Sequence, residues 1–265
     1  MMPALRSELL RLRRRSVLLG WFGLTAVFAV LINTVLYANA ATSSSAAARG
    51  PGVVFPPLAV LQAPEGLVAG LGSASSILGV VTLSFWALTT ATDYSTGLIR
   101  VLVAAQPQRW RLLVGKVAAL AAATVAATTV ALVANILAAP VWARAAGVAT
   151  QRWSEHPAST VMTGWLHLYL ALLVWGVLGL ALAVTTRSAA VAISTSVGYV
   201  LVVETVVASA VTAARDWLPG STLTALAQGG TATVAYPRAL LLGVLYTGGA
   251  MTFATLLVNR RDVTD

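Results

Sequence analysis

The chain has 265 residues, of which 58% are apolar and only 9% charged, with a formal net charge of +9 and no cysteine. Together with a mean hydropathy of +0.84, that composition excludes a water-soluble domain and reads as a membrane protein. Without cysteine there are no disulfides, thiolate metal sites or cysteine nucleophiles, and His156 and His167 stand eleven residues apart, which is no metal-ligand spacing.

A hydrocarbon core about 30 Å thick is crossed by roughly 20 apolar residues in a helix. Six runs meet that requirement, at residues 17–38, 67–91, 112–139, 161–184, 189–214 and 239–258. Backbone groups in lipid must be paired within their own segment, so the runs predict helices; the alternating segments of a membrane barrel are absent. The expectation is an all-α integral membrane protein, one transmembrane domain of six spans.

Residues 1–16 precede the first span. Leu5, Leu9 and Leu12 follow helical spacing with arginines on the other faces, the pattern of an interfacial helix. Ala38-Asn39-Ala40 has the form of a signal-peptide cleavage site. The preceding run of about 21 apolar residues is longer than a signal core, however, so an uncleaved span is predicted. Residues 39–66, with Pro51, Pro56, Pro57 and Pro64 as breakers, read as an external loop of little regular structure. The second span carries a strip of small residues, Gly66, Gly70, Gly72, Ser76 and Gly79. Such a strip serves close helix packing, within the protomer or across a dimer, or else lines a substrate route.

Residues 93–111 form the most informative segment. Asp93 can cap a new helix and Gly97 permits a bend. Leu98, Val101, Leu102 and Ala105 then share one face, Arg100 points elsewhere and Pro107 closes the helix. Arg109, Arg111 and Lys116 lead into the third span, which is long enough to tilt or to project past the bilayer. Residues 185–188 show that a few residues suffice to reverse the chain, so a helix at 93–111 implies a soluble partner that grips it.

Residues 144–160 form a second external loop. Residues 216–238 are half apolar, too short to span and interrupted by Pro219, Gly229, Gly230 and Pro237, which predicts a re-entrant or interfacial helix. Glu204 is the one acid inside a span; at about 1.5 Å per residue it lies roughly 26 Å from the inner turn, near the outer interface. It either accepts a structural hydrogen bond from a neighbouring hydroxyl or meets a cationic substrate or proton in a gate. Asn135, near the outer end of the third span, is a second candidate for the pathway.

Seventeen basic residues orient the bundle. With the N-terminus inside, Arg6, Arg11, Arg13, Arg14, Arg15, Arg100, Arg109, Arg111, Lys116, Arg187, Arg260 and Arg261 face the cytoplasm. Arg49, Arg144, Arg152, Arg215 and Arg238 face out, so both termini are expected to be cytoplasmic. Basic residues spread over a membrane face suit anionic lipids rather than nucleic acid. Trp21, Trp86 and Trp110 are expected in an inner aromatic girdle and Trp142, Trp153, Trp165 and Trp217 in an outer one, with Trp175 packing between helices.

The pattern Asp93, Tyr94, Ser95, Gly97, Arg100, Pro107, Arg109, Leu112, Leu113, Gly115 and Lys116 resembles the cytoplasmic loop between spans two and three of type-2 ABC-transporter permeases. Trp217-Leu218-Pro219 and the ending Asn259-Arg260-Arg261-Asp262-Val263 are similar to that family's short external helices and to its terminus. Asp93 stands where Glu is commoner, and Leu98-Ile99 replaces the more usual Thr-Leu or Thr-Ile.

The resemblance implies an exporter subunit in the cell membrane that pairs with a second permease copy or a close relative. It also implies docking of two copies of a cytoplasmic ATPase through a coupling helix. Asp93, Tyr94, Gly97, Leu98, Arg100, Val101, Leu102, Gln106, Pro107 and Arg109 would be the coupling residues. No cofactor is expected on this chain; ATP and Mg²⁺ belong to the partner, since Gly115-Lys116 is followed by Val117 and lacks the phosphate-loop spacing. The substrate would be amphipathic: a drug, peptide, lipid or glycan. The alternatives are a non-transporting anchor or regulator of an ATPase and a self-sufficient secondary transporter. No catalytic residue is expected.

Overall fold

The computed structural model describes residues 15–40, 49–50, 53–99 and 109–260. Ten α-helices lie within them: α1 (Arg15–Ala38), α2 (Leu58–Gln62), α3 (Ala69–Ser95), α4 (Arg109–Ala145), α5 (Pro157–Thr186), α6 (Ala189–Gly198), α7 (Glu204–Ala210), α8 (Thr212–Arg215), α9 (Pro219–Ala227) and α10 (Tyr236–Arg260). A two-residue antiparallel pairing joins 49–50 to 53–54. Five helical stretches are long and apolar enough to cross a membrane: Leu19–Ala38, Pro64–Ser95, Trp110–Ala145, Pro157–Thr186 and Tyr236–Arg260. The interfacial helix expected at the N-terminus lies outside the described residues, apart from positions already belonging to α1.

Local chemistry sets the helix ends. Gly97 and Gly147 adopt φ of +68° just beyond α3 and α4, the left-handed stop that glycine takes without strain. At the turn between α5 and α6, Arg187 is left-handed and donates its N–H to Ala183 O at 2.8 Å, while the Ser188 hydroxyl accepts from Val191 N. The third predicted span becomes a helix of 37 residues. At roughly 55 Å it is longer than a hydrocarbon core is thick.

The centre of the bundle is the contact between α3 and α5, which run parallel and in register: Val68 faces Gly164, Gly79 faces Trp175 and Leu83 faces Gly179. A Cβ at Gly79 would strike the Trp175 indole, one at Gly176 the Trp86 indole, and one at Gly179 the Leu83 carbonyl. Glycine on each helix thus leaves room for a bulky group from the other, close-range packing of the kind small residues permit between apolar helices. The strip predicted on the second span works in this way throughout. Gly70 lies beneath Asn33 and Asn135, Gly72 beneath Gln228, and Ser76 Oγ is 2.9 Å from Thr224 Oγ1. Helices α1 and α4 run antiparallel to α3, as the contacts Trp21–Phe85 and Asn33–Gly70 for α1 and Lys116–Asp93 and Asn135–Gly70 for α4 show, and α10 runs parallel to α5.

Three expectations are corrected. Residues 189–214 do not form one helix: α6 passes into a π-helical turn at Tyr199–Val203, α7 follows, and the chain breaks at Val211 with φ −129° and ψ 91°. Hydropathy measures only the lipid preference of such a segment, and the β-branched run from Val200 to Val211 satisfies it while disfavouring an uninterrupted helix. Trp21 and Trp86 are fully buried and Trp153 nearly so, hence not girdle residues. The first two pack in one core with Leu120 and Leu180, and Trp153 donates Nε1–H to Leu61 O at 2.9 Å. Trp175 is buried between helices as expected. The loop at 39–66 is also more regular than expected, carrying α2 and a 3-10 turn at Pro64–Val68.

The α3–α5 contact generates a direct test. Alanine at Gly79 or Gly176 should lower stability by about 1–3 kcal/mol through overpacking, read as a lower unfolding midpoint in detergent. Alanine at Gly248, where nothing lies within 4 Å of an added Cβ, should not.

Candidate functional site

Charge in an apolar bundle is costly unless it is paired and hydrogen-bonded, so the buried polar groups single themselves out. At the end of the bundle below residues 97–109, Asp93 in the last turns of α3 and Lys116 in the second turn of α4 form a buried ion pair. Lys116 Nζ lies 2.5 Å from Asp93 Oδ2 and donates a second bond to Thr89 O at 3.2 Å. The ammonium thus ties two successive turns of α3 to α4. One turn later, Gly97 N–H bonds to Tyr94 O at 3.1 Å and the left-handed glycine turns the chain out of α3.

Four of the predicted coupling residues are thereby placed. Asp93 does not cap a new helix as expected but is buried inside α3, because its carboxylate is taken by Lys116; Tyr94 packs against the core that contains Trp21 and Trp86, Gly97 makes the bend, and Leu98 opens a new helical stretch, half-buried. Arg100, Val101, Leu102, Gln106 and Pro107 lie outside the described residues. Arg109 begins α4, and its side chain lies outside the described part of the structure. The partner of Asp93 across the loop, Lys116, was visible in the sequence only as one of several inner-side cations; an acid and a base ending two successive spans are its signal.

At the opposite end, Asn135 is fully buried and joins three elements. Its Oδ1 accepts from Asn33 Nδ2 at 2.9 Å, and its own Nδ2 donates to Leu67 O at 2.8 Å at the entry to α3. Asn33 also donates to Ala29 O at 2.8 Å. Gly70 lies so close below both amides that a Cβ there would collide with them. Asn135 therefore holds α1, α3 and α4 together. Asn33 passed unnoticed in the sequence, where a lone asparagine in an apolar run is its only mark.

Glu204, 8% exposed, has other partners. Its Oε1 accepts from Ser221 N at 2.7 Å and its Oε2 from Gly220 N at 3.0 Å. These are the first free donors of α9: Leu218 at the cap position offers no side-chain bond, and Pro219 at the first turn has no N–H. A carboxylate from another helix thus supplies the cap, satisfying two orphan amides and meeting the positive end of the helix dipole. Helix α9 is buried over most of its length against α3, α5 and α10, and its N-terminus is further tied by Tyr246 Oη, which donates to Trp217 O at 2.5 Å. Backbone amides carry no sequence mark, so this partnership was not legible before.

No metal-binding group of three or more His, Asp or Glu occurs among the described residues. No protein-family model matches the chain, and no curated protein resembles it at a significant level. The chain's own residues therefore carry the functional argument.

The ion pair makes a signed prediction. Asp93→Leu or Lys116→Leu alone leaves one buried charge unpaired and should cost about 3–5 kcal/mol, whereas the double variant should recover much of that loss. Unfolding midpoints of the four proteins in detergent test it.

Proposed function

We propose that this chain is the transmembrane permease subunit of an ATP-driven exporter of the type-2 ABC class. In this reading it lies in the cell membrane with both termini cytoplasmic, pairs with a second copy or a close relative, and moves an amphipathic substrate outward by alternating access. ATP and Mg²⁺ are bound and ATP is hydrolysed by two copies of a separate cytoplasmic subunit. Residues 189–210 serve as the fifth of six crossings: they start beside Ala91 and Ala183 and end where Glu204 meets α9, at the far end of the bundle.

The observation that carries the proposal is the buried Asp93–Lys116–Thr89 clamp at the base of the 97–109 loop. A loop that merely reverses a chain has no need of a desolvated ion pair beneath it. A loop that receives force does, because the pair turns the feet of α3 and α4 into one body. Displacement of that body passes along α3 to α5 through the glycine–tryptophan contacts and to α9 through Ser76 and Thr224, about 26 Å from Asp93. Such a line of packed elements is what an exporter needs between its ATPase and an outer exit.

The experiment is a pull-down of the detergent-solubilised protein from its native membrane extract, comparing the wild type with Leu98→Glu/Leu102→Glu. Recovery of an ATPase subunit with the wild type and its loss with the variant is expected. A folded wild type that captures no ATPase would overturn the proposal and favour a self-sufficient transporter.

A further inference from the structure

The capping of α9 has a consequence beyond this reading. Both amides at its N-terminus are held by Glu204, a residue of a different helix, and the fit admits no side chain at Gly220, where a Cβ would enter the carboxylate. Glu204 itself stands between two interruptions, the π-helical turn at Tyr199–Val203 and the break at Val211, on a helix of only seven residues. It can withdraw without carrying a long rigid element with it. At its other end α9 stops at Gly229 and Gly230, with φ of +74° and +116°, and the His167 ring packs against Gly229. Left-handed glycines thus end α9 on one side, and the break at Val211 precedes it on the other.

Where α9 meets α3 the contacts are in part polar, while Leu223 and Leu226 on its other faces lie in the apolar core. Ser76 and Thr224 share one hydrogen bond and Gln228 lies on Gly72, with the buried hydroxyl of Ser73 beside them on the same helix. Hydroxyls and a backbone-deep glycine accept water in place of a departing helix at far lower cost than the apolar α3–α5 contact could.

We propose that Glu204 is the latch of a re-entrant plug. With its carboxylate on Gly220 and Ser221, α9 is seated and this end of the bundle is closed; withdrawal of the carboxylate unseats α9 as a unit and admits water along Ser73, Ser76 and Gly72 of α3. The latch is a property of the fold and does not depend on which partner drives the protein.

The absence of cysteine makes the test direct. Thr224→Cys reports on the seat of α9, and Thr128→Cys, fully buried in α4, reports on the rest of the bundle. Each is placed singly in the full chain and its labelling rate by a water-soluble maleimide measured in detergent. Glu204→Gln keeps the size but loses the charge and turns a donor toward one amide; Gly220→Ala keeps the acid but pushes it away. Both should raise labelling of the Thr224→Cys reporter by about tenfold, the response of a local opening equilibrium to a lost contact, with the Thr128→Cys reporter still protected. Unchanged labelling at Thr224→Cys in both backgrounds would overturn the latch. So would parallel exposure of both reporters, which would make Glu204 a support of the whole fold.

Discussion

The close parallel approach of α3 and α5 governs the rest of the molecule. Apolar helices in lipid gain little from hiding side chains from one another, so association must come from van der Waals contact and a few internal hydrogen bonds. Glycine on one helix opposite tryptophan or leucine on the other supplies the former at Gly79, Gly176 and Gly179. With α3 fixed in this way, its remaining faces receive three of the other polar features. Asp93 and Thr89 take Lys116, Gly70 takes the two asparagines, and Ser76 and Gly72 take α9. One helix thereby connects both ends of the bundle.

The polar groups show a division of labour. Asn33 and Asn135 lie deep between α1, α3 and α4 with neutral donors and acceptors, an arrangement that fixes geometry without a buried charge. Asp93 and Lys116 carry charge, yet each is answered by the other. Among the described residues Glu204 has no cation in direct contact; it is held by two backbone amides and a helix dipole.

Much of this was legible in the residues, for reasons that differ from element to element. The spans near 17–38, 67–91, 161–184 and 239–258 emerge as helices because length and hydropathy act locally, and the small-residue strip on α3 was readable because helical spacing is local too. The segment at 216–238 betrayed its short helix through Pro219 and the paired glycines. The misreadings share a cause. Trp21 and Trp86 lie at the right depth for an interface, and only a neighbour far along the chain, Phe85 or Gly176, decides that they are buried. The interruption at Tyr199–Val203 reflects backbone phase, to which hydropathy is blind. The acceptors and donors of Lys116, Asn33 and Glu204 include backbone atoms, and these belong to every residue alike.

The asparagine junction also bears on how the protein is made. Asn33 and Asn135 are 102 residues apart, and ribosomes add about 5–20 residues per second, so Asn33 leaves the ribosome roughly 5–20 s before its partner exists. Through that interval α1 must reside in the membrane with a primary amide in its C-terminal third, bonded to its own Ala29 carbonyl. Glu204 and Gly220, 16 residues apart, have almost no such wait. The first span therefore spends its nascent life with that amide unanswered by Asn135, exposed to whatever translocon or chaperone surface can lend it a temporary hydrogen bond.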